Sequence, residues 1–507
     1  MTGGVADWIV RRAVRCPERV AIVDAATGAS ATYAEMHRTM LATAAGLRGL
    51  GVRRGDRVAM VLDNSPEFVE YLFATAALGA IAVPVNFRLS APEVAYIIDD
   101  AQPQVVVYGS RLAELARDAV AQATTPPPHV VDVDATPVRA DSDAGFVEPV
   151  SEDDVFLIMY TSGTTGRPKG AMITHGHMRW NAFNMVMVDG GLNSRDVTLS
   201  VAPLFHIGAL GLLTMPLLYV GGTVVLRRTF SPPETLADFE KHKVTVCFLV
   251  PAMWSALSQV ADFDRFDVSA MRFVMSGGAP TPLPVIRFFQ DKGWAFLEGF
   301  GMTEFGPGTL LLDNDHIVSH AGTVGRPFTH TDIAIVDQYD QQVPAGDVGE
   351  LVLRGPTTFA GYWGLPAATA EAKRGGWFHS GDLARVDDDG FVTIVDRKKD
   401  MIISGGENIY PAEVEHVLYE HPAVADVAVI GAPDEKWGET LVAVVVVGSE
   451  SAVTEAELIE FSRARIAHFK VPKQIRFVEA LPRNATGKLL KRALREQYTG
   501  HAEAVTR

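Results

Sequence analysis

The run from Tyr160 to Gly170, Y-T-S-G-T-T-G-R-P-K-G, gathers hydroxyls, glycines and the cation Lys169 directly after the apolar stretch Val155–Met159. A strand that feeds such a loop suits a polyphosphate. Bare backbone approaches closely there, while N–H groups, hydroxyls and an ammonium meet phosphate oxygens. The spacing is not that of the P-loop, which needs Gly-Lys-Ser/Thr opening a helix; here Pro168 precedes Lys169 and Gly170 follows it. Alone, the run also reads as a surface turn.

Three further segments carry nucleotide-type chemistry. Glu298–Glu304, E-G-F-G-M-T-E, follows Ser276-Gly277-Gly278-Ala279-Pro280, and each segment sits at the end of an expected strand. Phe300 offers a flat π face for adenine, Thr303 a hydroxyl, and Glu304 a carboxylate for Mg²⁺, an ion that takes few protein carboxylates beside phosphate oxygens. Glu304 reads equally well as a helix cap. Trp377–Asp382, W-F-H-S-G-D, places Asp382 after Ser-Gly, where it would close an Asx turn or accept two ribose hydroxyls. Pro482–Lys488, P-R-N-A-T-G-K, ends on a lysine that would ordinarily be a solvated surface charge.

Large elements must position these segments. The chain has 507 residues, 48% hydrophobic and 21% charged, which implies several domains around at least one sizeable core. A formal net charge of −16 argues against a nucleic-acid partner. An acidic protein that uses ATP must therefore concentrate its cations locally. Two distant cysteines, Cys16 and Cys247, give neither a disulfide framework nor metal-ligand spacing, and a cytoplasmic location fits. The apolar stretch Pro203–Val220 is broken by Gly208, Gly211 and Pro216 and contains His206, so a buried helix is expected there rather than a membrane span.

Short β-rich runs alternate with amphipathic helical patterns. Arg57–Leu62 is followed by Pro66–Leu78 and Ile81–Val85, and Val244–Leu249 by Ala252–Val260. This alternation predicts α/β layers with mostly parallel strands. Thr331–Leu353 looks antiparallel. After the charged knot Asp396–Asp400, a small α+β pattern is expected, with helices at Pro411–Tyr419 and Glu455–Ala467 and strands at Val424–Ile430 and Val442–Val447.

In order and wording, these segments resemble the adenylate-forming superfamily of acyl-CoA synthetases, luciferases and peptide-synthetase adenylation domains, from Thr32-Tyr33 to about Tyr498. The phrase D-M-I-I-S-G-G-E-N-I-Y-P-A-E-V-E is similar to the bacterial fatty-acyl-CoA synthetase branch. The resemblance implies a large N-terminal domain of layered α/β subdomains plus a β-barrel-like subdomain (1–397), and a small mobile C-terminal domain (398–507). It implies two half-reactions: ATP activates a carboxylate as acyl-AMP, with Mg²⁺, and coenzyme A then displaces AMP to give a thioester.

Under this resemblance, Thr161, Ser162, Gly163, Thr164, Thr165, Gly166 and Lys169 would wrap phosphates. Gly278, Ala279, Pro280, Glu298, Gly299 and Phe300 would hold adenine. Thr303 would touch the α-phosphate, and Glu304 would bind the metal. Asp382 and Arg397 would grip the ribose, and Lys488 would bridge acyl carboxylate and α-phosphate during adenylation. Lys399 would be the hinge. Gly405, Gly406, Glu407, Trp437, Phe469, Lys470 and Lys473 would meet coenzyme A. Phe300 departs from the family's commoner Tyr, which removes a phenolic hydrogen bond and keeps the stacking face.

The acyl pocket would comprise Phe205, His206, Ile207, Met302, Gly306, Gly308 and Leu310–Leu312. His206 would be a gate or a satisfied core histidine. No Arg or Lys occurs in 199–225 or 299–324, so a dicarboxylate lacks a counter-charge and an apolar acid is expected. Glycine-rich walls suggest a tunnel for a medium- to long-chain fatty acid. The alternatives are an aromatic or branched acid, a carrier protein as acyl acceptor, and a non-catalytic acyl-nucleotide sensor. Peripheral membrane contact and a homodimer are both compatible with the sequence.

Overall fold

The computed structural model describes residues 4–140, 146–161, 167–188, 190–404, 407–434, 436–448, 453–483 and 489–498. The chain packs as two units: Met1–Ile333 with Leu353–Phe378, and Ala334–Val352 with His379–Arg507.

In the first unit, a seven-stranded sheet is cored by parallel strands Arg57–Val61, Ile81–Pro84, Val105–Tyr108 and His129–Asp132. Ile81–Pro84 and Val105–Tyr108 are buried throughout, as expected for parallel strands covered on both faces. The helix Pro66–Ala77 starts where the Ser65 hydroxyl accepts from Phe68 N–H and Pro66 occupies the first turn, both favourable at a helix N-terminus. It is buried from Phe68 to Ala77. Val155–Thr161 runs parallel to Ile81–Pro84, and beyond it the sheet changes sense. Val155–Thr161 pairs antiparallel with Lys169–Thr174, which pairs antiparallel with Gly361–Tyr362.

The second sheet has nine strands, and its parallel centre includes Val197–Ser200, Val246–Leu249, Phe273–Gly277 and Ala295–Met302. One edge is again antiparallel, with Ala295–Met302 turning back into Gly306–Leu312.

Pro203–Val220 contains a buried, continuous helical run from Ile207 to Val220, with a π-helical turn at Leu210–Thr214. Pro216 accounts for the widened turn, because it has no N–H and its ring crowds the preceding carbonyls. Among the described residues, no helix is long and apolar enough to cross a membrane.

Strands starting at Asp332, Gly349, Phe378 and Val392, most of whose residues fall in the second unit, form a four-stranded sheet, where the β-barrel-like subdomain was expected. The rest is small and α+β: the hairpin Val424–Asp434 with Gly438–Val447, extended by Gln474–Phe477, and helices Pro411–Tyr419 and Glu455–Arg463. Its apolar core includes Val414, Leu418, Val429, Ala443 and Leu458.

The unit limits do not coincide with 397/398. The charged knot shows why, because it is tied to residues on both sides of that position. Asp396 accepts from Ala412 N–H at 3.0 Å, Lys398 pairs with Glu350 at 2.9 Å, and Asp400 pairs with Arg495 at 2.7 Å. Glu350 is buried, which pushes its carboxyl upward, yet the Lys398 ammonium prevails and holds it below the usual range.

Candidate active site

The phosphate-loop sequence joins two antiparallel strands in register Thr161 opposite Lys169. Both ends of the loop are thus fixed by the sheet. Gly170 fits because a side chain there would stand 2.6 Å from Ile158 Cγ2. Ser162, Gly163, Thr164, Thr165 and Gly166 lie outside the described residues.

The strand ends converge on Glu304. Its Oε1 accepts from the Thr161 hydroxyl and the Tyr362 hydroxyl, both at 3.1 Å. Lys169 Nζ stands 5.1 Å from the centre of the Tyr362 ring. The Glu304 backbone is held as well, its carbonyl accepting from Phe359 N–H at 2.8 Å. Burial first, and then the Glu304 charge, pushes the Tyr362 phenol far above its ordinary range, so it remains a hydrogen-bond donor. Thr303 is half-buried beside Glu304. Tyr362 was not singled out from the sequence. It reaches the site only through sheet pairing, opposite Ala171.

The expected adenine-binding residues lie on adjacent parallel strands, Ser276 opposite Glu298 and Gly277 opposite Gly299. Glu298 is buried and accepts from Thr281 N–H at 2.7 Å. Burial raises its carboxyl to about 7 against the lowering effect of those Thr281 hydrogen bonds. The Thr281 hydroxyl donates to Ser276 Oγ at 2.7 Å. These bonds brace the turn that exposes Gly278, Ala279 and Pro280, with Gly278 at φ +88°. Phe300 is half-buried.

The expected acyl-pocket residues share this unit. Asn64 orders the segment entering Phe205 and His206. Its amide donates to the carbonyls of Ser200 and Ala202, and it accepts from Leu204 N–H at 2.9 Å. Phe205 meets Phe87 edge-on at 5.0 Å and lies 4.4 Å from the His206 ring. Burial, with a smaller contribution from the Arg88 cation, lowers His206 to about 4 and keeps it neutral. Its Nε2 is buried and unpartnered, so it is not a satisfied core histidine. Arg88 is a cation near the pocket that lies far from the sequence windows searched for counter-charges.

Ile207, Gly306 and Gly308 are buried and Met302 is half-buried. A side chain at Gly308 would begin 3.2 Å from Met185 Sδ and 3.5 Å from the Phe328 ring. Met185 of the His175–Val186 helix therefore packs against Gly308 and closes the wall at that point.

In the second unit, Asp382 and Arg397 face each other across antiparallel strands, Oδ1 to Nε 2.6 Å, with Asp382 buried. Lys399 is exposed in the turn after Arg397. Among the residues expected to meet coenzyme A, Glu407 and Lys473 are exposed, as are Trp437 (46%) and Phe469 (42%). Lys470 instead bonds both oxygens of Glu413, at 2.7 and 2.8 Å. Gly405, Gly406 and Lys488 lie outside the described residues.

The AMP-binding enzyme family matches residues 9–363, and its C-terminal domain matches residues 413–488. The chain is 44% identical over 495 residues to a feruloyl-CoA synthase of an Amycolatopsis species, covering 98% of this chain and 99% of the relative. It is 40% identical over 500 residues to a long-chain-fatty-acid–CoA ligase of Mycobacterium tuberculosis, covering 97% and 98%. A solved structure of O-succinylbenzoate coenzyme A synthetase from Bacillus subtilis, in complex with ATP and magnesium ion, matches with a TM-score of 0.85 at 31% identity. It covers 96% of this chain and 99% of that chain.

Proposed function

The chain belongs to the AMP-binding enzyme family and is an acid–thiol ligase, and from that premise we propose that its acid is an aromatic monocarboxylate. The reaction would consume ATP and coenzyme A and yield the acyl-CoA thioester, AMP and pyrophosphate. The observation that carries the adenylation chemistry is the convergence of Thr161 and Tyr362 on Glu304, with Lys169 over the Tyr362 ring.

In the first half-reaction, a carboxylate oxygen attacks the α-phosphorus, the bond to the bridging oxygen breaks, and pyrophosphate leaves. An anionic acid must approach a polyanion, so fixed positive charge and donors dominate the barrier. Lys169, Thr161 and Thr303 supply these from the described residues, and Lys488 is proposed to bridge the reacting groups. Glu304 suits Mg²⁺, which is held by one or two carboxylates together with phosphate oxygens. Among the described residues, no cluster of three or more His, Cys, Asp or Glu competes for a metal. The ion would supply charge neutralisation. In the second half-reaction, the thiol of coenzyme A, losing its proton, attacks the acyl carbon and AMP leaves.

Gly278–Pro280, Glu298, Gly299 and Phe300 are proposed for adenine, and Asp382 and Arg397 for ribose. Lys399 is proposed as hinge, and Gly405, Gly406, Glu407, Trp437, Phe469 and Lys473 for coenzyme A. Lys470 belongs with them only if it exchanges Glu413 for a phosphate.

An aromatic acid is supported by the rings of Phe87, Phe205 and His206 and by the closed wall behind Gly308. The relative that acts on ferulate supports it as well. A medium- to long-chain fatty acid is the second reading, favoured by the relative named for long-chain fatty acids.

The test is pyrophosphate release with ATP, Mg²⁺ and a panel of benzoic, cinnamic and saturated fatty acids, followed by thioester formation on adding coenzyme A. Thioester with cinnamic acids above fatty acids is expected. Failure of every acid to release pyrophosphate would overturn the ligase reading, and preference for a fatty acid would overturn the aromatic one.

A further inference from the structure

Alternation along a strand divides the phosphate-loop hairpin into two faces. Thr161 stands opposite Lys169, and Met159 opposite Ala171, which in turn stands opposite Tyr362. Cross-strand partners share a face, so Thr161, Lys169 and Tyr362 lie together on the side that meets Glu304. Tyr160 and Gly170, also paired, lie on the other side. Trp363, one residue beyond Tyr362, joins them there: a side chain at Gly170 would begin 3.3 Å from Tyr160 Cζ and 3.4 Å from Trp363 Cβ. Each of the three residues on the Glu304 side is thus a chain neighbour of one that faces away.

The far face packs on the helix Ala91–Ala101. Tyr96, Tyr160, Met172 and Trp363 lie against an apolar core that includes Val94, Ile97, Ile98 and Ala101. Three hydrogen bonds cross this contact. The Tyr160 hydroxyl donates to Asp100 Oδ2 at 2.6 Å, the Tyr96 hydroxyl to the Pro168 carbonyl at 3.2 Å, and the Trp363 indole N–H to the Asp100 carbonyl at 3.2 Å. Tyr96 and Asp100 are four residues apart on the helix and so share one of its faces. The indole takes a carbonyl of the last turn, which has no partner within the helix itself.

Asp100 stands against the local preference. The last turn of the helix contains no basic residue and carries Asp99 and Asp100, although the partial negative charge at a helix C-terminus favours cations. Asp99 is used locally, accepting from Thr125 N–H at 2.8 Å, whereas the Asp100 carboxylate reaches the hairpin. Burial first, and then the bond to Asp100, pushes the Tyr160 phenol far above its ordinary range, and burial and then the Asp100 charge raise Tyr96. Both therefore remain donors. The Tyr96 bond bears on Lys169 through the planar Pro168–Lys169 peptide, because holding the carbonyl holds the plane that contains Lys169 N and Cα.

Resting on the adenylation reading above, we propose that Tyr96 and Asp100 are positioning residues for the triphosphate, holding the two ends of the phosphate loop from one helix face. Asp100 acts through Tyr160 on the strand end that presents Thr161, and Tyr96 acts through the Pro168 carbonyl on Lys169. The Trp363 bond ties the strand of Tyr362 to the same helix. Ordering the groups that receive a polyanion costs conformational entropy, and groups held beforehand bind more tightly because that cost is smaller. The gain falls on the phosphates beyond the α position, which Thr161 and Lys169 are proposed to meet. Adenine, ribose and the α-phosphate fall to other residues.

The test is the affinity for Mg²⁺–ATP and for AMP, measured by titration calorimetry without any acid, in wild type, Tyr96→Phe and Tyr160→Phe. Each substitution removes one hydroxyl and keeps the ring. Each variant should bind Mg²⁺–ATP roughly five- to tenfold more weakly, the size of one hydrogen bond, while AMP, which has no β- or γ-phosphate, should bind within about twofold of wild type. A role in folding alone would weaken both nucleotides alike or neither, and either result would overturn the proposal while leaving the ligase standing. If Tyr160→Phe fails to fold, Tyr96→Phe decides, since it frees only the carbonyl of half-buried Pro168. A wild type that binds no Mg²⁺–ATP would sink the adenylation reading itself, and this proposal with it.

Discussion

Replacing Glu298 by Gln tests whether the buried carboxylate behind the proposed adenine turn is as desolvated as the structure implies. Glutamine keeps the shape and the Oε1 that accepts from Thr281 N–H, and removes only the titration. An ordinary glutamate loses its proton near 4.5, and burial moves Glu298 to about 7. The folded state therefore holds this proton more tightly than the unfolded state. Below pH 4.5 the group is protonated in both states and costs nothing. As pH rises from 4.5 through 7, the unfolded chain ionises first, and stability is progressively lost. At 1.36 kcal/mol per pH unit, the interval corresponds to at most about 3 kcal/mol, with about 2 of it falling between pH 5 and pH 8. The first unit has 359 residues (333 plus 26). At about 2.1 cal/mol/K per residue, that loss is a shift of roughly 3 °C. The assay is the thermal midpoint of wild type and Glu298→Gln across pH 5 to 8. The variant's advantage should grow with pH and level off above 7. Parallel profiles would refute the reasoning, and a variant that loses ground as pH rises would show that the carboxylate is stabilised as an anion.

Glu304→Gln should slow ATP–pyrophosphate exchange on the order of a hundredfold, with little change in thermal midpoint because the side chain is half-buried; a rate within threefold of wild type would remove Glu304 from the proposed metal site. Tyr362→Phe deletes one hydrogen bond to that carboxylate, worth about 1.5 kcal/mol, so exchange should fall roughly tenfold, well short of the Glu304 variant. Gly301→Ala would place a methyl 2.2 Å from the Pro307 carbonyl oxygen. It should cost about 3 kcal/mol or more in denaturant unfolding, whereas Gly278→Ala, with open space around it but φ +88°, should cost about 1.

What could be read before the fold was known follows from how local the signal is. The Thr161–Lys169 loop and the Glu298–Glu304 strand end announce themselves because one short segment carries hydroxyls, glycines and charge together. The helices beginning at Pro66 and Pro411 were legible for the same reason, with N-terminal proline signals in adjacent residues. Tyr362 was not, since it meets Glu304 across 58 residues of chain through a short edge strand. The polar stripe His177, Asn181, Asn184 would pass for a solvated helix face. It is buried in the structure, with Gly306 and Gly308 lying against His177 and Asn181 and the Asn181 amide bonded to the Gly211 carbonyl. The tunnel expectation turns on the same point, because a glycine's missing side chain can admit a neighbouring helix as readily as a ligand.

Both sheets of the first unit place their chemistry at the same kind of position, and strand geometry explains why. Parallel strands need long crossovers and are buried on both faces, so their interiors have no room for a polyanion. An antiparallel hairpin added at the edge needs only a short connection, and it holds both ends of that connection in hydrogen-bonded register. Thr161–Lys169 and Met302–Gly306 are such connections, one glycine-rich and the other carrying Thr303 and Glu304. A third strand at the first edge delivers Tyr362 to the carboxylate that Thr161 already holds. The boundary residues Thr161 and Lys169 are thus fixed opposite each other by the sheet. Lys169 is therefore held in place from the strand that carries it. Loosening either hairpin should weaken catalysis even where no ligand-facing residue is altered.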